Sequence, residues 1–254
     1  MRIPRELRAF AEVPQRTLLP APGIEVRDDG RYVLVRGPAF ANVSTVDVEP
    51  GELRDVVDEV RALAPEGAAT DWWLGPSARP PDVRERLLAL GLRAHDPSRL
   101  DALIALEPPA PGPAEVDVRR VETIDDFVVV HELRWEAFEI SPERRARQKA
   151  NLEAVWASNQ ANCHVFLAFV DGRPAGTGVS ILGELGSFLI GGCTARWARG
   201  RGAYRALVRA RWDDAVERGR PALVVHAHQA TSAPILRRLG LVDVCKLERL
   251  EDPR

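Results

Sequence analysis

Two arginines and two glycines lie between a predicted strand and a predicted helix, in the segment RGRGAY at residues 199–204. Glycine has no Cβ, so the backbone can turn tightly there and come close to a ligand. The first N–H groups of a helix have no partner inside the helix, and arginine adds charged donors that suit phosphate. We therefore predict that this segment, called the RG loop, binds phosphate or pyrophosphate; the alternative is a sharp connection with solvated arginines. Its members are Arg199, Gly200, Arg201, Gly202, Ala203 and Tyr204.

The elements around the RG loop follow from the spacing of apolar residues. An apolar strand at 187–195 leads into the loop, and an amphipathic helix at 204–218 leads out of it. A strand at 221–226, a helix at 233–239 and a last strand at 242–250 follow. Neither the dinucleotide motif GxGxxG nor a Walker P-loop is matched, since the second glycine is followed by Ala-Tyr-Arg and no Gly-Lys-Ser/Thr occurs.

Upstream of these elements, a helix with Thr123 as its N-cap is predicted to follow the strand at 116–121. A second, arginine-rich helix at 142–158 precedes two strands that meet at the hairpin turn Asp171-Gly172.

The same order of elements occurs twice in the chain. Residues 42–106 read as strand, helix, strand, helix, Gly-Leu and strand, and RLLALGL (86–92) is similar to ILRRLGL (235–241). Where the second copy has the RG loop, the first has Glu49-Pro50-Gly51. Proline has no N–H to donate and a carboxylate repels phosphate. We therefore expect only the second copy to bind an anion.

A proline-rich stretch at 108–113 separates the two copies and reads as an extended linker. We predict two domains, residues 1–110 and 111–254.

Composition limits the functions that are open to the chain. Its 254 residues carry a net charge of −2, so no basic field for nucleic acid is expected. The three cysteines lie far apart without metal-ligand spacing, which indicates a reducing compartment and no metal site. No apolar leader and no run of eighteen apolar residues occurs. We expect a soluble cytoplasmic protein without a membrane partner.

The RG loop resembles the pyrophosphate loop of the GCN5-related N-acetyltransferases (GNAT), whose pattern is Arg/Gln-x-x-Gly-x-Gly/Ala. Arg199 matches the first position and Gly202 the fourth. Tyr204 stands at the sixth, where the family prefers Gly or Ala.

A second segment, residues 229–241, resembles the family's second signature, Asn-x-x-Ala-x-x-Leu-Tyr-x-x-x-Gly-Phe. With Gly240 as the anchor, Gln229 stands at the Asn position, Ser232 at the Ala position and Leu236 at the Tyr position. The element order of 115–250 also fits. The resemblance implies the α/β (α+β) GNAT fold, a mixed central sheet flanked by helices, in two units of which the N-terminal one is a truncated, degenerate copy.

The resemblance also implies a reaction. Acetyl-CoA would bind with its pyrophosphate on the amides of 200–204, its pantetheine arm along the strand edge Cys193-Thr194-Ala195, and further contacts to Gln229 and Ser232. A small-molecule or peptide amine would attack the thioester directly, in a monomer or homodimer. The alternative is a CoA-binding sensor or scaffold with little or no catalysis.

Candidates for the catalytic base are Glu184, in the turn before the strand at 187–195, and His226, at the end of the strand at 221–226. Glu139, between the first two helices of this half, is a third. The alternative for Glu184 is a solvated hairpin tip, for His226 a satisfied strand-end histidine and for Glu139 a surface charge. Leu236 cannot protonate the leaving thiolate, so either Tyr204 or solvent must do so.

Overall fold

A computed structural model describes residues 2–38, 40–159 and 162–253. The elements of the N-terminal half, in chain order, are α1 (Arg5–Glu12), β1 (Glu25–Asp28), β2 (Tyr32–Gly37), β3 (Phe40–Val46), α2 (Leu53–Leu63), β4 (Thr70–Leu74), α3 (Val83–Ala89) and β5 (Arg93–Ala105). Those that follow are β6 (Val116–Arg120), α4 (Ile124–Ala137), α5 (Pro142–Ala150), α6 (Leu152–Asn159), β7 (Cys163–Val170), β8 (Arg173–Leu182), β9 (Ser187–Thr194), α7 (Ala203–Glu217), β10 (Leu223–His228), α8 (Ser232–Arg238) and β11 (Val242–Asp252). Short 3₁₀ turns lie at Pro14–Thr17 and Arg196–Ala198.

The chain divides into two units that are not two consecutive halves. The first unit comprises residues 1–103, 226–235 and 243–254, and the second comprises 104–225 and 236–242. The proline-rich stretch therefore belongs to the second unit, and most of the C-terminal strand belongs to the first.

In the first unit, the strands lie in the order β1-β2-β3-β4-β11-β5. The β3/β4 pair is parallel with α2 as its crossover, whereas β1/β2, β2/β3 and β4/β11 are antiparallel. The apolar face of α2 packs into a core that includes Val56, Val60, Trp72 and Leu87, all fully buried.

In the second unit, the order is β10-β9-β8-β7-β6. The β9/β10 pair is parallel with α7 as its crossover, and the other pairs are antiparallel. Both α4 and α7 pack on this sheet, around a core that includes Phe127, Val130, Leu167 and Leu207. Each unit is thus a mixed sheet with helices, as the fold-class prediction states.

Several local predictions are confirmed by backbone geometry. The Thr123 hydroxyl accepts from the Asp126 N–H at 3.2 Å, which caps α4. Asp171 and Gly172 have φ of 53° and 73°, the positive values that a tight hairpin turn needs. The predicted helix at 142–158 is instead two helices with Asn151 between them, and β1 was not predicted.

The two similar heptapeptides end their helices in the same way. Leu92 donates to the Leu87 carbonyl and Leu241 to the Leu236 carbonyl, each at 3.1 Å. The intervening glycines, Gly91 and Gly240, have φ of 95° and 100°. This is the six-to-one bond of a Schellman cap, formed twice around a glycine with positive φ.

Candidate functional site

The RG loop turns the chain from β9 into α7 through two glycines with positive φ. Gly200 has φ 80°, and Gly202, the N-cap residue of α7, has φ 82°. No side chain in the described part of the chain caps the helix. Within the described residues, no backbone carbonyl accepts from the N–H groups of Gly200, Gly202, Ala203 or Tyr204. These amides lie at the positive end of a fifteen-residue helix, a geometry that suits an anion.

The two loop arginines have different surroundings. Arg201 donates to the Asp171 carboxylate at 2.8 Å and lies over the Trp197 ring. Arg199 is exposed, and no side chain of the described residues pairs with it. Arg199 is therefore the arginine whose guanidinium is available to a ligand.

The proline-rich stretch packs against the first turn of α7. A methyl group built on Gly202 would lie 2.5 Å from Cδ of Pro113, and one built on Gly112 would lie 2.6 Å from Cα of Ala206. The Ala110 N–H donates to the Leu239 carbonyl at 3.2 Å. This stretch therefore supports the RG loop.

Strand β9 has an edge that is paired over only part of its length. Its pairing with β10 covers Ser187, Phe188 and Leu189. From Ile190 to Thr194, no strand pair with β10 is found in the described part of the chain. Backbone groups on this open edge keep their capacity to bind an extended ligand in the manner of a strand.

The predicted contact residues at the end of β9 lie next to this edge. Cys193 and Thr194 pair with β8 on the other side of β9, opposite Thr177 and Gly176. Burial raises the pKa of the Cys193 thiol to about 11, so the group is neutral at pH 7. The Ala195 N–H already donates to a backbone carbonyl, that of Ala175, at 2.9 Å. The backbone of Ala195 can therefore offer a ligand its carbonyl but not its N–H.

A bulge interrupts β9 where the edge opens. The β8/β9 register shifts by one extra residue on β9 between Cys193 and Ile190, and Gly191 inside it has φ 59°. The two bulge glycines face opposite sides of the sheet. A methyl group on Gly191 would lie 3.1 Å from Cζ of Arg134 on α4, and one on Gly192 would lie 2.9 Å from the Tyr204 ring on α7.

Sequence reasoning did not identify Arg134, or His131 one turn before it on α4. No carboxylate or carbonyl of the described residues accepts from the Arg134 side chain, and burial lowers its pKa. Burial and the Arg134 charge lower the pKa of His131 to about 4, so this imidazole is neutral at pH 7. The i, i+3 spacing places both on one side of a helix, but only the tertiary fold shows that Arg134 reaches the bulge.

On the other face, α7 carries a buried charge. Arg211 is 1% exposed and donates to the carbonyls of Leu207 at 3.0 Å and Val179 at 3.5 Å. Burial lowers its pKa to about 10. Burial also raises the pKa of Tyr204, so the phenol beside Gly192 stays protonated at pH 7.

The predicted carboxylate bases lie on the protein surface. Glu184 is exposed in the turn before β9. Two turn residues, 185 and 186, and the four strand residues 187–190 separate it from Gly191, and the strand residues alone span about 13 Å. Glu139 is exposed and paired with Arg196 in the turn before the RG loop. Neither carboxylate lies at the bulge.

Three predicted residues belong to the first unit, where each has a partner. The His226 ring lies 3.0 Å from the Ala11 carbonyl through Nε2, and burial lowers its pKa to about 4. The Gln229 amide donates to Asp101 at 2.7 Å, and the Ser232 hydroxyl accepts from the His228 N–H at 2.9 Å. These contacts favour structural roles; the assignments as base and as cofactor contacts stay predictions.

Leu236, at the position where the resemblance places a tyrosine, is fully buried in α8. The described residues contain no group of three or more His, Cys, Asp and Glu side chains that could hold a metal ion. Among the helices in the described ranges, none combines the length and apolar character that a membrane span requires.

The fold is similar to those of several solved structures. A GCN5-related N-acetyltransferase from Kribbella flavida has a TM-score of 0.70 at 19% identity, covering 97% of this chain and 95% of that one. A tandem GNAT protein from the clavulanic acid biosynthesis pathway, solved without AcCoA, has a TM-score of 0.59 at 16% identity, covering 98% and 88%. A GCN5-related N-acetyltransferase from Sphaerobacter thermophilus has a TM-score of 0.56 at 19% identity, covering 89% and 82%. No family model and no curated protein matches the chain. At these identities the likeness concerns the fold, and it confirms the predicted GNAT fold class.

Proposed function

We propose that this chain transfers an acetyl group from acetyl-CoA to the amine of a small molecule or peptide. One observation carries the proposal: the open edge of β9 (190–194) is followed, after the turn at Arg196–Ala198, by a helix N-terminus with amides that have no backbone partner among the described residues. An extended, amide-containing arm that ends in a pyrophosphate matches this sequence of donors and acceptors. The similarity of fold to N-acetyltransferases supports the same reaction.

In this proposal, the RG loop binds the pyrophosphate. The amides of Gly200, Gly202, Ala203 and Tyr204 donate to its oxygens, whereas the Arg201 N–H already donates to the Ala198 carbonyl. Arg199 adds a charge-assisted bond. The pantetheine arm pairs with the open edge of β9, so that the thioester comes to lie near the bulge at Gly191. Gln229 and Ser232 remain proposed cofactor contacts by resemblance alone.

The chemical step is a direct displacement. The amine nitrogen attacks the thioester carbonyl carbon, the C–N bond forms and the C–S bond breaks, and a base removes the proton from nitrogen. The leaving thiolate takes up a proton from solvent or from the Tyr204 phenol, which stays protonated at pH 7 because burial raises its pKa. The positions of Glu184 and His226 lend no support to either as the base.

We further propose that residues 1–110 form a degenerate copy of the domain at 111–254. Both β3-α2-β4 and β9-α7-β10 are parallel strand pairs with a helical crossover, and the Gly91 and Gly240 caps are alike. The entry to α2 differs from the RG loop. There the Glu52 carboxylate accepts from the Glu49 N–H at 3.0 Å, which places a negative charge where a phosphate would bind.

A second candidate function is CoA binding without efficient transfer, as in a sensor or scaffold. The buried Leu236 favours it, because the position that resembles the family's tyrosine cannot donate a proton. The two candidates differ in turnover and share CoA binding.

Calorimetric titration with CoA tests the shared part. Gly200→Ala should weaken binding about tenfold, because a side chain at this positive φ shifts the loop amides. Gly219→Ala is the matched control at the other end of α7. Both glycines have positive φ, 80° and 70°, and no atom within 4 Å of an added methyl group. Absence of CoA binding in the wild type would refute both candidates.

Thioester cleavage with a broad amine panel separates the two candidates. Acetyl transfer to any amine that exceeds hydrolysis supports the enzyme. CoA binding with no transfer to small amines, amino acids or peptide N-termini supports the sensor or scaffold.

A further inference from the structure

The guanidinium of Arg134, at the bulge of β9, is a charged group that has no partner among the residues the structure describes. It lies against Gly191, and the described residues offer it no carboxylate or carbonyl. Most arginines of this unit that are at least partly buried have such acceptors: Arg145 donates to two backbone carbonyls, and Arg218 to Ser187 and Asp214. Arg134 is partly buried, and a partly buried charge that lacks a counter-charge is costly, which favours a bound anion.

The groups around Arg134 leave its charge uncompensated. His131 is neutral at pH 7. The centroid of its ring lies 4.7 Å from that of Phe127 and 5.8 Å from that of Trp135. The Cys193 thiol is also neutral. Glu136 on the same helix is close enough to act on the Cys193 thiol, but it is exposed to solvent and does not pair with Arg134 among the described residues. Beside apolar groups, a bidentate bond from a guanidinium to a carboxylate is strong.

Arg134 and the proposed phosphate site lie on opposite faces of the sheet that contains β9. Gly191 faces α4 and Arg134, whereas Gly192 faces α7 and Tyr204. The RG loop is the N-terminal entry to α7. The guanidinium is therefore positioned at the reacting end of the open edge of β9, on the opposite side of the sheet from the helix whose amides would bind pyrophosphate.

We infer that Arg134 binds a carboxylate carried by one of the two substrates, beside the Gly191 bulge. This inference rests on the proposed function. The carboxylate belongs either to the amine acceptor, which is then an amino acid or a related amino carboxylate, or to the acyl group of the CoA thioester. In the second case a dicarboxylic half-thioester replaces acetyl-CoA as the donor, and the CoA site and the displacement step of the proposed function stay the same. Both sources present the same chemistry to the guanidinium.

Two binding series distinguish the sources. In the first, succinyl-CoA is compared with butyryl-CoA by calorimetry. In the second, the protein is saturated with CoA and titrated with amino acids and with the corresponding amino acid amides. In one series, the wild type should bind the carboxylate form at least about tenfold more tightly than its neutral partner.

Arg134→Gln should remove that preference, and Arg134→Lys should retain part of it, because lysine keeps the charge but not the planar fork. Arg144→Gln is the control, since it changes net charge equally at an exposed arginine on α5 for which the described residues provide no side-chain partner. Circular dichroism and CoA affinity verify that each variant is folded.

The outcomes separate the inference from the proposed function. If CoA binds and neither series shows a carboxylate preference, or if Arg134→Gln keeps the preference, the inference is wrong and the proposed function stands. If CoA does not bind to the wild type, the proposed function is wrong and the inference fails with it.

Discussion

Arg134 lies against Gly191, with Cζ 3.1 Å from the place that a methyl group on this glycine would occupy. This contact joins α4 to the bulge of β9. It needs both the missing side chain and the positive φ of Gly191. The relationship places a cation at the point where β9 parts from β10.

Gly191→Ala should therefore destabilise the protein by more than the strain of positive φ alone. That strain costs about 1 kcal/mol, and displacing the guanidinium adds about 1 to 2 kcal/mol. Gly172→Ala is the control, because φ is 73° there and nothing lies within 4 Å of the added methyl group. Chemical denaturation measures both free energies of unfolding. Equal losses for the two variants would show that the Arg134 contact is easily rearranged.

Gly202→Ala tests whether the proline-rich stretch supports the RG loop. Gly200 and Gly202 have nearly the same φ, but only at Gly202 would a methyl group meet Pro113. We expect Gly202→Ala to cost about 1 to 3 kcal/mol more than Gly200→Ala in the free energy of unfolding. Pro113→Ala in the same chain should restore part of that loss. If Pro113→Ala restores no stability to Gly202→Ala, the contact between Pro113 and residue 202 is not the cause of the larger loss.

Arg199 and Arg201 should contribute unequally to CoA affinity. Arg199 is unpaired among the described residues, whereas Arg201 donates to Asp171. We expect Arg199→Gln to weaken CoA binding about tenfold and Arg201→Gln to weaken it less than about threefold. Calorimetry at low and high salt measures the CoA affinity of each variant. The loss of affinity from low to high salt should be smaller for Arg199→Gln than for the wild type. The reverse order would show that Asp171 releases Arg201 to the ligand.

Acid should destabilise the protein partly through His131. Its pKa is about 4 in the folded protein, against 6.5 for an ordinary histidine, so between these values the unfolded chain binds more protons. Stability from this group is therefore present above pH 6.5 and is lost as the pH falls towards 4. His131→Phe keeps an aromatic ring beside Phe127. In this window it should make the free energy of unfolding less dependent on pH, by the equivalent of up to about one bound proton.

Denaturant titrations from pH 4 to 8 measure this slope. Paired carboxylates such as Asp214 are common to both proteins, so the difference isolates the imidazole. Above pH 7, where His131 is neutral in both states, the slopes should coincide. Identical slopes throughout would mean that His131 is protonated in the folded protein as readily as in the unfolded one.

The local elements of the second unit could be predicted because neighbouring residues decide them. The RG loop, the Thr123 cap and the Asp171-Gly172 turn depend on missing Cβ atoms, short hydroxyl side chains and apolar spacing, which the sequence displays directly. The repeated Leu-Gly-Leu helix ends are also local, since one Schellman cap involves six consecutive residues.

The contact between Arg134 and the β9 bulge could not be predicted from neighbouring residues in the sequence. Gly191 and Arg134 are 57 positions apart, and no spacing rule relates a helix to a strand at that separation. The sequence also favoured Glu184 and His226 by residue type, but a carboxylate or imidazole acts only where the fold brings it. The structure places Glu184 at the far end of β9 and gives the His226 ring a backbone partner at Ala11.

The sequence by itself thus determined the glycine turn between β9 and α7 and the main helices and strands around it, because backbone freedom and apolar periodicity are properties of short segments. The fold class followed from the resemblance of two motifs and the element order to those of a known family. Only the tertiary structure decided which part of β9 has no strand partner on one edge in the described chain, which arginines have no partner among the described residues, and that Pro113 packs on Gly202. The physical reason is that pairing, burial and charge compensation depend on groups that are distant in the chain.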